Sequence, residues 1–147
     1  MVAPLDFRFP LVVTTVLIVD DRQMARCIAS RLLSEEGFRV LEADGTQEAL
    51  EVLGETRGRI DLVVLDIVLH DGDGVALARE ILDEWPDQHL LYMSAYPAEV
   101  MAQYGLATLD VPFLAKPFTR KELLAKVKEA LAPPRGAAAD LSRRAES

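Results

Sequence analysis

The chain carries a single cysteine, Cys27, so no disulfide can form within it, and a reducing compartment such as the cytosol fits best. Basic residues are in the minority: 16 Lys and Arg stand against 24 Asp and Glu, a formal net charge of -8. That balance argues against a nucleic-acid-binding surface. No apolar run approaches the ~20 residues of a membrane helix. The nearest, Leu11 to Val19, is short, contains Thr14 and Thr15, and runs into Asp20-Asp21. It has neither a basic start nor a small-residue cleavage site, so it does not read as a signal peptide. There is no P-loop and no glycine-rich dinucleotide loop. The two histidines, His70 and His89, lack metal-ligand spacing, and internal repeats are missing.

What is present is a globular composition: 147 residues, 50% hydrophobic and 27% charged, enough for one soluble domain with an ordinary core. Residues 1–13 read as an N-terminal extension, 14–132 as the folded domain, and 133–147, opened by Pro133-Pro134, as a flexible tail. Within the domain two patterns alternate. "TVLIVD" (15–20), "FRVLEA" (38–43), "DLVVLD" (61–66), "HLLYMS" (89–94) and "VPFLAK" (111–116) read as strands. Between and after them lie helical segments. The first, Arg22 to Glu36, places Ala25, Ile28, Ala29, Leu32 and Leu33 on one face and ends at a capping glycine, Gly37. Thr46 to Leu53, Val75 to Glu84, Ala98 to Tyr104 and a helix opened by Thr119-Arg-Lys-Glu122 follow. That last opening has capping-box spacing. Five strands alternating with five helices imply a doubly wound α/β fold, a parallel sheet with helices on both faces.

Polar residues fall at the strand ends: Asp20-Asp21, Asp66, Ser94 and Lys116. In a parallel sheet these ends share one edge, where such folds bind ligands. In one common strand order of such folds, 2-1-3-4-5, strands one and three are neighbours, and the three aspartates would then converge. Clustered carboxylates require protons or cations. Mg²⁺, a hard cation with oxygen ligands, is the economical choice. Metal, ammonium and hydroxyl together suit a phosphoryl group, which an aspartate can accept. Asp66, alone on the central strand after four apolar residues, is the candidate nucleophile.

The stretches "LIVDD", "VVLDIVL..DGDG", "LYMSAY" and "FLAKPFT" resemble the receiver domain of bacterial two-component response regulators, over roughly residues 15 to 132. The resemblance implies a flavodoxin-like (βα)5 three-layer sandwich and a cytoplasmic, non-enzymatic phosphoacceptor. It implies phosphorylation of Asp66 by a sensor histidine kinase or a histidine phosphotransfer protein. It implies Mg²⁺ bound by Asp20, Asp21, Asp66 and the backbone carbonyl of Val68, and a phosphoryl group held by Ser94 and Lys116. It further implies a cis bond before Pro117, Phe113 as the switch aromatic, and Gly74 as the glycine of the loop after the nucleophile. The downstream partner and the stimulus stay open, as does the choice between monomer and phosphorylation-dependent dimer. A free-standing regulator and a piece of a hybrid kinase are both compatible.

Several positions depart from the family pattern. His70 replaces the usual proline, which implies a more mobile loop. Val68 and Tyr96 flank the site, one apolar and one bulky, which implies restricted water access and slow dephosphorylation. Blander readings exist for most residues. Asp20 or Asp21 can cap the first helix, and Ser94 can belong to a turn. Asp71 and Asp73 each precede glycine and read as turn residues, with Asp73 a cap for the helix from Val75. Two other functions compete with phosphoacceptance. One is a pseudo-receiver that binds partners without phosphorylation. The other is a dehalogenase-like Mg²⁺ phosphatase, which wants a second acid where Val68 stands.

Overall fold

The computed structural model describes residues 13–104 and 111–132. The expected tail, and all of the expected extension except Val13, lie outside the described residues. In chain order the elements are β1 (Thr15–Val19), α1 (Gln23–Glu35), β2 (Arg39–Ala43), α2 (Thr46–Glu55) and β3 (Leu62–Asp66). Next come a small pair, β4 (Val68–Leu69) and β5 (Gly72–Asp73), then α3 (Gly74–Glu84) and β6 (His89–Ser94). The described chain closes with α4 (Pro97–Tyr104), β7 (Phe113–Ala115) and α5 (Arg120–Leu131). The main sheet has five parallel strands in the order β2-β1-β3-β6-β7. This is the expected doubly wound arrangement, with β1 beside β3 at the reversal. The antiparallel β4–β5 hairpin is an addition that the sequence pattern did not announce. Two residues per strand are too few for any periodicity to show.

Period-two alternation sends successive side chains of each strand to opposite faces. Leu17, Val19, Val63 and Leu65 join one core, with Leu53 of α2 and Ile81 of α3. Val16, Ile18, Val64, Leu91 and Met93 join the other, against Leu33 of α1 and Leu123 and Val127 of α5. Side chains of this size contribute about 1.5–3 kcal/mol each when fully buried. Burial on both faces explains the continuous apolar runs of β1, β3 and β6.

The helix ends follow their local chemistry. Thr119 and Glu122 form the reciprocal capping box at the start of α5. The Asp73 side chain accepts from the N–H of Ala76 at the start of α3. Gly37, at φ +95°, ends α1, with its N–H donating to the Ser34 carbonyl and that of Phe38 to the Leu33 carbonyl. One expected core residue is displaced. Ile28 is 53% exposed, and the inward face of α1 is carried by Ala29, Ser30 and Leu33. The helix is rotated so that Ser30, not Ile28, is buried.

Candidate functional site

The carboxyl edge of the sheet collects the polar strand ends. Asp66 closes the central strand β3, Ser94 closes β6, Asp20 follows β1 and Lys116 follows β7. Lys116 Nζ donates to Asp20 Oδ2 and to Asp66 Oδ2, both at 2.7 Å. The second oxygens are occupied locally: Asp20 Oδ1 accepts from the N–H of Arg22 at 2.9 Å, and Asp66 Oδ1 from the N–H of Val68 at 3.0 Å. Asp20 and Asp66 are 1% and 7% exposed, so the ammonium between them is what makes their charges tolerable. Burial by itself would lower the Lys116 pKa. The hydrogen bonds and charges of Asp20 and Asp66 outweigh it, and the net shift is upward.

Lys116 is placed by its own strand. Its N–H donates to the Ser94 carbonyl at 2.9 Å, and the Lys116–Pro117 bond is cis. Ser94, 1% exposed, accepts from the N–H of Tyr96 through Oγ at 3.0 Å, a local turn contact as well as a place on the edge. Asp21 stands apart from the bridge. Its Oδ2 lies 3.8 Å from His70 Nδ1, and its side chain is 24% exposed. Phe113 is half-buried, paired in register with Tyr92, and packs on the core between the sheet and α2, α3 and α4. Desolvation pushes the pKa of Tyr92 up to about 12.

Among the described residues, no group of three or more Asp, Glu, His or Cys side chains is arranged to hold a metal ion. The donor set nevertheless fits a hard divalent cation. Asp20 and Asp66 are hard oxygen donors that share a single ammonium, which leaves their summed charge one unit negative, and Asp21, next to Asp20 in the chain, adds a third hard carboxylate at the same strand end. Val68, on the hairpin two residues after Asp66, is 58% exposed.

Sequence reasoning missed two supports. Arg26 Nη1 donates to the Asp20 carbonyl at 2.7 Å while its Nε pairs with Glu42. Asp71, read as a turn residue, accepts from the N–H groups of Thr46 and Gln47 at the start of α2. The Glu42 and Thr46 partners, 16 and 25 residues away, carry no local signal because they depend on where the sheet places other segments.

Residues 16–128 match the family model of the response regulator receiver domain. The chain belongs to that family. The sensor kinase CckA of Brucella abortus is 38% identical over 117 residues, covering 80% of this chain and 12% of the kinase. Among solved structures, the receiver domain of the hybrid histidine kinase CckA matches with TM-score 0.67 and 32% identity, over 80% of this chain and 99% of that one. The response regulator TrrA of Thermotoga maritima, in complex with Mg²⁺–BeF, matches with TM-score 0.71 and 30% identity, over 81% and 100%. This receiver spans between 12% and about half of the length of the curated relatives it matches. Receiver domains are two-component signalling modules and generally not enzymes. No helix among the described residues of this receiver is long and apolar enough to cross a membrane.

Proposed function

We propose that this receiver is a cytoplasmic phosphoacceptor whose acceptor is Asp66. One observation carries the reading. The Asp66 carboxylate ends the central strand and is 7% exposed, with the Lys116 ammonium 2.7 Å from one oxygen and the Val68 N–H 3.0 Å from the other. An Asp66 oxygen attacks the phosphorus of a histidine kinase's or phosphotransfer protein's phosphohistidine. The P–N bond breaks and its electron pair leaves on the imidazole nitrogen. Lys116 then exchanges one carboxylate oxygen for a phosphoryl oxygen, and the Ser94 hydroxyl donates to another. Transfer of this kind is mostly positioning and charge stabilisation.

Asp20, Asp21, Asp66 and the Val68 carbonyl would hold Mg²⁺, which when bound neutralises charge on the phosphoryl oxygens. The Mg²⁺–BeF complex of the similar TrrA supports that choice of ion. Four of the exposed large apolar residues, Met24, Ile28, Val68 and Tyr96, lie on α1 or beside the acceptor. They suit the docking of a protein phosphodonor. Phe113 is the residue through which Ser94 and Lys116 would report phosphorylation to a downstream protein. Val68 and Tyr96 would slow hydrolysis by limiting water access. The receiver's relatives include both a hybrid histidine kinase and a transcriptional regulator, so the receiver fits either host.

Intact-mass measurement after incubation with acetyl phosphate tests the reading. The expected result is a Mg²⁺-dependent gain of one phosphoryl group, lost in Asp66→Asn. No gain from acetyl phosphate or from a phosphorylated histidine kinase, together with no Mg²⁺ binding, would instead make this chain a pseudo-receiver.

A further inference from the structure

The hairpin that carries Val68 is anchored at its base, by Leu69 buried in the core and by the Gly74 N–H on the Ile67 carbonyl at 2.7 Å, but its own pairing does little to fix the tip. It has two residues per strand, paired Val68 with Asp73 and Leu69 with Gly72, and an isolated hairpin of this size is not stable in water. Its tip, His70-Asp71, reaches across to α2. Asp71 Oδ1 accepts from the N–H of Thr46 at 2.8 Å, and Oδ2 from that of Gln47 at 3.2 Å. These are first-turn N–H groups of a helix whose own N-cap, Gly45, supplies no side-chain bond. The cap of α2 therefore comes from the loop after the acceptor aspartate, 25 residues away in sequence.

The approach is tailored on both sides. A Cβ on Gly45 would lie 2.7 Å from Asp71 Oδ1 and 2.8 Å from His70 Cε1. The other end of the same connection is fixed to the acid cluster, because the N–H of Asp20 donates to the carbonyl of Ala43 at 3.1 Å, two residues before Gly45. A closed circuit thus runs from Asp20 through the end of β2 and the start of α2 to Asp71, and through the hairpin back to Val68 and Asp66.

We propose that Asp71 is a positioning residue for the cation site. It sets the spacing between the Asp20-Asp21 end of β1 and the Val68 carbonyl by clamping the hairpin to α2. This rests on the assignment of those groups to Mg²⁺ above. Partners that orient metal ligands without touching the metal commonly change affinity ten- to hundredfold.

The test compares the wild-type chain, Asp71→Ala, Asp71→Asn and Thr119→Ala, the last removing an equivalent cap from α5, whose core lies on the face of the sheet opposite the one that holds Leu69 of the hairpin. Two readouts are taken: Mg²⁺ affinity by calorimetry, and amide hydrogen exchange of residues 67–73 in metal-free protein. Asp71→Ala should bind Mg²⁺ about tenfold more weakly and exchange faster through the hairpin and at Thr46 and Gln47. At saturating Mg²⁺ its phosphorylation rate should return close to wild type. Asp71→Asn, which keeps an acceptor oxygen, should recover most of both readouts. Thr119→Ala should change neither. Unchanged Mg²⁺ affinity and unchanged hairpin exchange in Asp71→Ala would overturn the proposal. Faster exchange with unchanged affinity would reduce Asp71 to a helix cap and overturn it as well. Wild-type protein that binds no Mg²⁺ would refute the function reading itself, and the metal-free exchange would then still decide whether Asp71 clamps the hairpin.

Discussion

Lys116 bridges two acids that burial would otherwise make costly, and single-residue changes around it have definite signs. Lys116→Met leaves Asp20 and Asp66, at 1% and 7% exposure, without their shared cation. Removing one partner of a buried pair typically costs about 3–5 kcal/mol, and urea unfolding of the metal-free variant should read a loss in that range. Mg²⁺ should restore part of it. Asp21 is different, because it stands outside the bridge and is partly solvated. Asp21→Ala should raise metal-free stability by less than ~1 kcal/mol, since relief of repulsion at a partly exposed site is small. A clear loss would contradict the carboxylate cluster. Asp71 adds a pH signature. The Thr46 N–H, against some desolvation and with help from Gln47, holds its carboxyl below the ordinary value of 3.8. A depressed carboxyl contributes stability above its unfolded pKa and loses it as pH falls through the folded one. The stability difference between wild type and Asp71→Ala should therefore be full at neutral pH and shrink on acidification below 3.8. Urea midpoints across that range measure it.

At the scale of the elements, the hairpin and its glycines control the geometry beside Asp66. Gly74 opens α3 where a Cβ would lie 2.4 Å from the Asp66 carbonyl oxygen and 2.9 Å from Ile67 Cα. Those are backbone atoms and cannot swing away. Gly74→Ala should cost roughly 3 kcal/mol and displace the acceptor loop, visible in thermal unfolding and in slowed phosphorylation together. The strands β1, β3 and β6 and the caps of α3 and α5 were legible in the sequence because each rests on neighbouring residues: four apolar positions in a row, Asp73 before Gly74, Thr119 three before Glu122. The outward turn of Ile28 was not. Ala29 and Leu33 seat α1 on Val16, Ile18 and α5, and that seating, set by tertiary packing, leaves Ile28 outward. The tie between the hairpin tip and α2, from Asp71 to the N–H groups of Thr46 and Gln47, was not legible either, because its partners lie 25 and 24 residues apart.

For the whole molecule, cation binding should be coupled to folding. If Asp20, Asp21, Asp66 and Val68 hold Mg²⁺ only in the folded chain, the melting temperature rises with Mg²⁺ concentration. At a hundredfold excess over Kd the gain is about 2.7 kcal/mol, readable by calorimetry and reduced in Asp66→Asn. Fold class, the alternation of strands and helices, and the identity of the polar strand ends were determined by the sequence alone. Periodicity and capping are relations between residues one to four apart, so the linear order contains them. The tertiary structure alone decided who meets whom. Lys116 reaches Asp20 across 96 positions and Asp66 across 50, and Asp71 reaches Thr46 across 25. Contacts at such separations follow from the strand order and its crossovers, which bring the ends of β1, β3 and β7 to one edge whatever their distance along the chain.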